Sequence, residues 1–207
     1  MKINLGSHNK IIGNYINIDG LDLENVDAVC DLNIIPFQLD IKNEDKFEGV
    51  DLSRETDAIR IHDNTVDEIQ MIEVLEHIGF KNTEKVLREI HRILKPGGFI
   101  HIQVPDCGKA MEYYANKQVC NCVPHKSHKG DSEGVFKAEP GCFQCGGKGV
   151  INPMRWLYSF TGAQKHKYDS HLAIFTKDLL ERALEVVGFD NLEFKDDIYK
   201  LKVTATK

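Results

Sequence analysis

Short apolar runs that end in small or acidic residues mark the first part of the chain. Ile3–Leu5, Tyr15–Ile18 and Ala28–Cys30 each have the length of a buried strand, and glycine or aspartate follows each run. Only residues 6–14 separate the first two runs. A parallel connection that contains a helix takes about ten residues or more. Either this connection is unusually tight, or one of the two strand predictions is wrong.

The middle of the chain predicts a strand, a helix and a second strand. Asp67–Val74 and Phe99–Val104 are compact apolar runs, and between them Thr83–Leu94 has apolar residues on one continuous helical face. Asn82 is in position to cap this helix, and the Lys-Pro-Gly-Gly segment at 95–98 would end it. This order of elements predicts parallel strands with a right-handed crossover.

The last part of the chain predicts helices and one alternating strand. Residues 108–118 and 152–160 have weaker helical patterns, whereas Thr176 and Gly188 are the expected caps of a clear helix. The apolar face of that helix is Leu179, Leu180, Ala183, Leu184 and Val187. Apolar and polar residues alternate in Tyr199–Lys207, which is typical of a half-buried strand at an antiparallel edge.

These elements predict one α/β domain over residues 1–207, with a mainly parallel sheet and an antiparallel last strand. Two stretches interrupt the order and are interpreted as insertions. Residues 38–61 are polar without a sustained period, and we expect a loop there with a short helix or hairpin. Residues 108–150 are rich in glycine, lysine and cysteine and would form a lid or a partner surface near the carboxyl ends of the strands.

Composition and charge narrow the partners. The 207 residues are 42% hydrophobic and 28% charged, as in an ordinary globular protein. A net charge of −6 provides no general basic field for nucleic acids or anionic membranes, so we do not expect such partners. No apolar run approaches the roughly 20 residues that cross a bilayer, and the start lacks the apolar core of a signal peptide. We therefore expect a cytoplasmic protein of undetermined oligomeric state.

Four of the six cysteines crowd into the second insertion, namely Cys120, Cys122, Cys142 and Cys145. In a cytosolic chain such clustering indicates a metal site more than disulfides. The Cys-x-x-Cys-Gly-Gly pattern resembles a zinc knuckle, and the upstream Cys-x-Cys would complete four thiolates around structural zinc. His125 or His128 could replace one thiolate. The alternatives are a flexible lid with free thiols, or a redox pair.

Three motifs in one block carry a resemblance to a known family. Residues 63–106 begin DNTVDEIQMIEVLEHIGF and end VLREIHRILKPGGFIHIQVPD. The order Leu-Glu-His, Leu-Lys-Pro-Gly-Gly, Val-Pro-Asp resembles the fourth-to-fifth-strand region of class I S-adenosylmethionine-dependent methyltransferases. LGSHNKIIGNYINID at the start and SHLAIFTKDLLERALEVVGFDNLEF near the end are similar to a small subgroup whose chains begin at the first strand. The resemblance implies a Rossmann-like methyltransferase fold and S-adenosylmethionine as cofactor.

The resemblance also implies a cofactor site beyond the carboxyl ends of the strands. Its residues follow the first four strands in turn: Gly6, Ser7, Asp19, Asp31, Leu32, Glu73 and Val74. The glycine would let backbone approach the methionine part, and the acid after the second strand would bind the ribose hydroxyls. The residues after the third strand would hold the adenine, and those after the fourth would line the sulfonium. Ordinary loop positions are the alternative for each acid, and Gly-Ser-His-Asn departs from the family's glycine loop.

Two further residues are candidate catalytic groups on the acceptor side. His171 matches the histidine of the family's tail and would act as general base or bind substrate, since imidazole titrates near neutral pH. Asp106 comes just after the fifth strand, where substrate would meet the methyl group. Glu76 and His77 are interpreted as a pair that orients the turn after the fourth strand. Methyl transfer depends mainly on orientation of the nucleophile, so the identity of the base stays open.

The expected function is transfer of a methyl group from S-adenosylmethionine to an oxygen or nitrogen of a small-molecule or glycan acceptor. One alternative is a catalytically degenerate fold that serves as a binding module with structural zinc. Another is a nucleic-acid methyltransferase that grips phosphates through the lysines of the cysteine-rich insertion. A nicotinamide-binding fold would need Gly-x-Gly-x-x-Gly at the first turn, and this sequence lacks it.

Overall fold

The structure, a computed structural model, describes residues 1–53, 59–115, 160–162, 164, 169–197 and 199–207. The chain divides into two compact units, one formed by Met1–Asp106 with His171–Lys207 and the other by Cys107–Ser170. The cysteines predicted to bind zinc lie outside the described residues, together with His125 and His128. None of the helices among the described residues has the length and apolar character needed to span a bilayer.

The first unit is built on a large mixed sheet. Its strands are β1 Lys2–Leu5, β2 Ile16–Asp19, β3 Ala28–Val29, β4 Asp40–Ile41, β7 Val66–Ile72, β8 Leu94–Pro105, β9 Asp190–Lys195 and β10 Lys200–Thr206. They lie in the order β4-β3-β2-β1-β7-β8-β10-β9. Strands β1, β2, β3, β7 and β8 are parallel, whereas β4 pairs antiparallel with β3 and β10 antiparallel with β8. The predicted α/β fold is confirmed.

The connection between β1 and β2 is tight. Both strands form, with Ile3 aligned to Ile16 and Leu5 aligned to Ile18. Residues 6–15 are all described and contain turns without a helix. The backbone N–H groups of Gly6 and Ser7 both donate to the carbonyl oxygen of Ile18, at 2.8 and 3.1 Å. The two strand predictions are therefore right, and the short link is a property of the fold.

The sheet has one apolar and one polar face. Strand registers place Ile3 beside Ile69 and Ile69 beside Ile100 on the first face, and Lys2 beside Glu68 on the other. Helices α1 Phe80–Ile93 and α3 Lys177–Val187 bury their apolar residues in the same core cluster as the first face. Parallel sheets are usually covered by helices on both faces. Here the described links from β1 to β2 and from β2 to β3 contain no helix, and the second face is polar.

The sequence prediction places the start of α1 too late. The helix begins at Phe80 after Gly79, and no side chain caps it. Asn82 lies inside the first turn, where its backbone N–H donates to the Gly79 carbonyl oxygen at 2.7 Å. The prediction of Asn82 as N-cap is therefore wrong. The apolar period that marks the helix starts only at its second turn, because Phe80 is exposed.

Strand β8 begins at Leu94, directly after α1, and not at Phe99 as predicted. The Lys-Pro-Gly-Gly segment at 95–98 is part of this strand and contains an irregularity. The register changes from Val66 opposite Leu94 to Glu68 opposite Phe99, and Gly97 has a φ of +79°. Proline and paired glycines indicate a turn in most sequences, but here they accommodate extra residues within a strand.

The stretch 38–61 contains the short helix and the antiparallel pair that were expected as alternatives, and it also adds one strand to the main sheet. β4 extends the main sheet, and a short 3-10 helix, Glu44–Phe47, follows it. β5 Leu52–Ser53 and β6 Arg60–Ile61 form a separate antiparallel pair. Phe47 is buried in the core cluster, so this stretch contributes to the fold.

The end of the chain confirms the capped helix and corrects the position of the last strand. The Thr176 hydroxyl accepts a hydrogen bond from the Leu179 N–H at 3.2 Å, and Gly188 has the left-handed φ of +105°. β10 is antiparallel, as predicted, but lies between β8 and β9 instead of at the edge. The sequence prediction missed β9. Leu179, at 42% exposed, does not belong to the buried face.

The second unit is described only in part. It contains helix α2 Cys107–Ala115, close to the helix predicted at 108–118, and a bridge between Gly162 and Ser170. Most of the helix predicted at 152–160 lies outside the described residues.

Candidate active site

The carboxyl ends of the parallel strands meet at one edge of the sheet. β1 lies between β2 and β7, so strands β2 to β4 are on one side of β1 and strands β7 to β10 are on the other. Ligands of open α/β sheets bind at such a switch point. We call the residues that follow β1, β2 and β3 the cofactor half, and those that follow β7 and β8, with segment 171–175, the acceptor half.

The turn after β1 has no space for a side chain at Gly6. This residue has a φ of +67°, and a Cβ atom here would lie 2.3 Å from Cγ2 of Val74. Both observations require glycine. Ser7 is only 1% exposed, and its Oγ has no hydrogen-bond partner among the described residues. A tight backbone approach beside an unsatisfied hydroxyl fits the polar end of a ligand.

Asp19 holds the backbone of the cofactor half. Its side chain is 8% exposed; Oδ2 accepts from the N–H of His8 at 2.8 Å and Oδ1 from the N–H of Leu21 at 2.9 Å. His8 takes a positive φ of 42° in this turn. Since a carboxylate has about four acceptor positions, Asp19 can still accept hydrogen bonds from a ligand.

Asp31 and Leu32 lie next to this position because the Cys30 N–H donates to the Asp19 carbonyl oxygen at 2.8 Å. The Asp31 carboxylate is exposed and accepts from the N–H of Asn33 at 2.9 Å, whereas Leu32 is buried. Burial raises the pKa of the Cys30 thiol to about 12. An exposed carboxylate beside a buried leucine matches the predicted adenine site in chemistry.

Glu73 is held by neighbouring strands. It has a φ of +60°, and its N–H donates to the Gln103 carbonyl oxygen at 2.8 Å. Its carboxylate accepts from Nε2 of Gln103 at 3.0 Å and forms an ion pair with Lys200. β7 ends at Ile72, so Glu73 and Val74 lie beyond the strand in which they were predicted. Val74 contacts the cofactor half through Gly6, while Glu73 is engaged by β8 and β10.

The segment that begins at His171 crosses the acceptor half. The N–H groups of Leu172 and Ala173 donate to the Glu76 carbonyl oxygen at 2.8 and 3.1 Å. Phe175 then forms a parallel bridge with Asp106, which is buried just after β8. Segment 171–175 therefore passes from the end of β7 to the end of β8. Both predicted catalytic residues lie along its path.

A short 3-10 helix, Leu75–His77, places a carboxylate beside two imidazoles. Glu76 is 1% exposed, and neither carboxylate oxygen has a hydrogen-bond partner in the described part of the chain. Burial, and then the charge of Glu73, raise the pKa of Glu76 to about 8. The rings of His77 and His171 meet edge to face, with centroids 4.9 Å apart.

The structure thus brings some predicted residues together and adds two. Gly6 contacts Val74, and Asp19 is linked to His8 and Cys30. Glu76 and His77, interpreted from the sequence as a turn pair, lie with His171 in one cluster. The Leu-Glu-His motif was the available signal, but its neighbour His171 could not be inferred without the fold.

A family model for a methyltransferase domain matches residues 16–102. The match covers β2 to most of β8, and β1 with the turn at Gly6 precedes it. With its mainly parallel sheet and antiparallel strands at one end, the chain is therefore similar to class I S-adenosylmethionine-dependent methyltransferases over this region.

Solved structures of methyltransferases are distantly similar. One from Thermotoga maritima has 12% identity over 100% of this chain and 81% of its own, with a TM-score of 0.48. One from Archaeoglobus fulgidus has 11% identity over 100% of this chain and 85% of its own, with a TM-score of 0.48. Human N-acetylserotonin methyltransferase in complex with S-adenosylmethionine has 16% identity over 68% of this chain and 29% of its own, with a TM-score of 0.37. Scores this low support no statement about the substrate. A comparison with proteins of curated function finds no match.

Proposed function

We propose that this protein transfers a methyl group from S-adenosylmethionine to an oxygen or nitrogen atom of a small-molecule or glycan acceptor. The observation that carries the proposal is the turn after β1, where Gly6 has no space for a Cβ atom and the buried Ser7 hydroxyl lacks a partner among the described residues. This turn lies at the switch point of the sheet, where the family binds its cofactor. Family and fold support methyltransferase activity.

The residues of the cofactor half have the chemistry to hold this cofactor. Gly6 and Ser7 would contact its methionine part, and Asp19 would accept hydrogen bonds from the ribose hydroxyls. Asp31 and Leu32 would bind the adenine amino group and ring, and Glu73 with Val74 would border the sulfonium. When bound, S-adenosylmethionine supplies a methyl group on a positively charged sulfur, which becomes a neutral thioether when an acceptor lone pair takes the methyl.

The residues of the acceptor half would orient the nucleophile and receive its proton. Asp106 and His171 are our candidates for these roles, because segment 171–175 connects the position of one to that of the other. Orientation contributes strongly to a displacement of this kind, since the reacting atoms must lie in line. A buried carboxylate or an imidazole within reach of the acceptor could take its proton.

Isothermal titration calorimetry with S-adenosylmethionine and S-adenosylhomocysteine tests the proposal. We expect both to bind, and Asp19→Asn to weaken both at least about tenfold, because an amide accepts fewer hydrogen bonds from ribose. Lys42→Met is a control at an exposed ion pair with Asp22. No binding at about 1 mM ligand, equivalent to a free energy weaker than about −4 kcal/mol, would contradict the enzyme hypothesis.

That negative result would favour a catalytically degenerate binding module. The observation behind this second candidate is the turn itself, in which His8 takes a positive φ of 42° at a position without glycine. A nucleic-acid acceptor is a further alternative, and salt-dependent binding of RNA or DNA would indicate it. Structural zinc at the cysteine cluster and a cytoplasmic location stay predictions from the sequence, and metal analysis tests the first of them.

A further inference from the structure

The Glu76 carboxylate is buried in the acceptor half and has no hydrogen bond or ion pair with another residue of the described part of the chain. Neither of its oxygens has a hydrogen-bond partner within the described residues. Glu73 repels its charge, and only its own backbone and the more distant charges of Lys200 and Lys10 offset this repulsion. An ionised carboxylate in a protein interior is strongly unfavourable unless it is paired or binds a metal. A cation bound at this point would supply the contact that the carboxylate lacks.

Two imidazoles lie beside this carboxylate. One ligand atom from each of Glu76, His77 and His171 lies within 4.8 Å of the other two. The histidine rings are not stacked but meet at an angle of 75°. Around an ion with ligand bonds of about 2.1 Å, two ligand atoms are up to about 4.2 Å apart. Small rotations of the three side chains would therefore bring them around one ion.

Backbone hydrogen bonds hold the three residues in place. His77 follows Glu76 in a 3-10 helix, and its N–H donates to the Val74 carbonyl oxygen at 2.9 Å. Leu172 and Ala173 donate to the Glu76 carbonyl oxygen, which fixes the neighbouring His171. The arrangement therefore depends on main-chain contacts between two segments, and these contacts place the three side chains near one another before an ion binds.

The set of ligand types selects the kind of ion. One carboxylate with two imidazoles is a ligand set of zinc and of related first-row ions. Calcium and magnesium prefer sites made of oxygen ligands alone. Three protein ligands leave at least one coordination position open, in contrast to the four thiolates predicted in the cysteine-rich insertion.

We propose that Glu76, His77 and His171 bind one divalent first-row transition-metal ion, of which Zn²⁺ is the natural candidate and Co²⁺ a spectroscopic probe. The ion supplies the positive charge that the buried carboxylate lacks. This site shares no residue with the predicted cysteine cluster.

A consequence for the acceptor rests on the proposed function. Because the three ligands belong to the acceptor half, an acceptor with a hydroxyl or carboxylate oxygen could occupy a remaining coordination position of the ion. His171 then holds the ion, and Asp106 remains the candidate that receives the acceptor's proton. The acceptor class is thereby narrowed to molecules with an oxygen that can ligate a metal.

Titration of chelator-treated, full-length protein with Co²⁺ tests the site, followed by visible absorption and calorimetry. The variants are Glu76→Gln, His77→Gln and His171→Gln, and the control is His62→Gln, an exposed histidine beside Asp51. We expect the affinity for one Co²⁺ ion to fall by at least about a hundredfold in each variant. Substitution of residues that only orient metal ligands already lowers metal affinity by up to that factor. The control should bind as the wild type does. Co²⁺ bound to cysteine thiolates has a sulfur-to-cobalt charge-transfer band, which distinguishes it from Co²⁺ at the proposed site.

S-adenosylmethionine binding is measured on the same samples. Loss of one Co²⁺ in the variants, with cofactor binding retained, supports the metal site. Equal Co²⁺ binding in the wild type and the three variants overturns it and leaves the methyltransferase proposal intact. Loss of Co²⁺ in the variants without cofactor binding in any sample overturns that proposal and keeps the metal site. If urea titration shows that a glutamine variant does not fold, the Co²⁺ titration is repeated with His77→Ala or His171→Ala. Loss of one Co²⁺ in that variant supports the metal site, and unchanged Co²⁺ binding overturns it.

Discussion

The two halves of the carboxyl edge hold buried polar groups in different ways. In the cofactor half, backbone N–H groups of His8 and Leu21 occupy both oxygens of Asp19, and Gly6 fits against Val74. In the acceptor half, the Glu76 carboxylate is buried and has no such partners among the described residues. The carboxylate of Asp19 is thus held by its own backbone, whereas the carboxylate of Glu76 would be completed by the ion that we propose binds there. Substitutions of Gly6 and of Glu76 should therefore change stability in opposite directions.

Substitution Gly6→Ala should have the largest effect, because it breaks the preorganised half. The new Cβ would lie 2.3 Å from Val74, and the φ of +67° disfavours alanine. Overpacking and backbone strain together should lower the free energy of unfolding by about 3 kcal/mol, measured by urea denaturation. Gly13→Ala is the matched control, since nothing lies within 4 Å of its Cβ position.

Val74→Ala should recover part of the loss when it is combined with Gly6→Ala, because it removes the methyl groups in conflict. Equal unfolding free energies for Gly6→Ala and Gly13→Ala would show that the cofactor half is not packed as described. S-adenosylmethionine affinity should fall only in the Gly6 variant.

Substitution Glu76→Gln should have the opposite sign in metal-free protein. Because burial raises the pKa of Glu76 to about 8, folding at neutral pH requires this group to take up a proton, and glutamine avoids that cost. The free energy of unfolding should therefore rise by about 2 kcal/mol in the presence of a chelator. Glu84→Gln, at an exposed ion pair with Arg88, is the control and should change stability little. A marked loss of stability in the Glu76 variant would mean that this carboxylate already has a partner in the free protein.

Substitution Thr176→Ala should have a smaller effect that is confined to the acceptor half. The Thr176 hydroxyl caps α3 directly after segment 171–175, and its loss should cost about 1 kcal/mol in urea denaturation. Thr176→Ser keeps the hydroxyl and should behave as the wild type. Cofactor affinity should stay unchanged in both variants, and a decrease in Thr176→Ala would mean that the two halves are energetically coupled.

The smallest expected effect concerns the alkylation of Cys30, which is buried next to Asp19. Since burial raises its pKa to about 12, almost no thiolate is present between pH 7 and pH 9. Alkylation by iodoacetamide, followed by mass spectrometry, should therefore be negligible in native protein over this range and complete in urea. Gly6→Ala should accelerate it through local opening. Rapid alkylation of the native wild type at pH 8 would contradict the described burial.

The fold was predictable where local pattern and tertiary structure agree. Apolar periodicity indicated both described helices of the first unit, and Thr176 with Gly188 marked the ends of α3 correctly. The sequence did not predict β9, because only Leu192 and Phe194 on this strand are apolar, and both are partly buried. The start of β8 was predicted too late, because a Pro-Gly-Gly sequence is compatible both with a turn and with an irregular strand.

The candidate site was predictable only as single positions. Gly6 and Asp19 could be selected because each follows a strand, and parallel strands end at one edge. The proximity of Glu76 to His171 depends on two backbone hydrogen bonds between segments far apart in sequence. No local pattern encodes such a contact. The burial of the carboxylate, which distinguishes the acceptor half, follows from the same contact.

The central position of β1 has a consequence for how the molecule assembles. Strands β1 to β4 form one piece with short connections, and β7, α1 and β8 form another. The two pieces join in the sheet where β1 pairs with β7, which is a pairing between distant parts of the chain. Such pairings form late, because loop closure opposes them. The ligand site therefore lies between the two pieces and forms only when β1 has paired with β7.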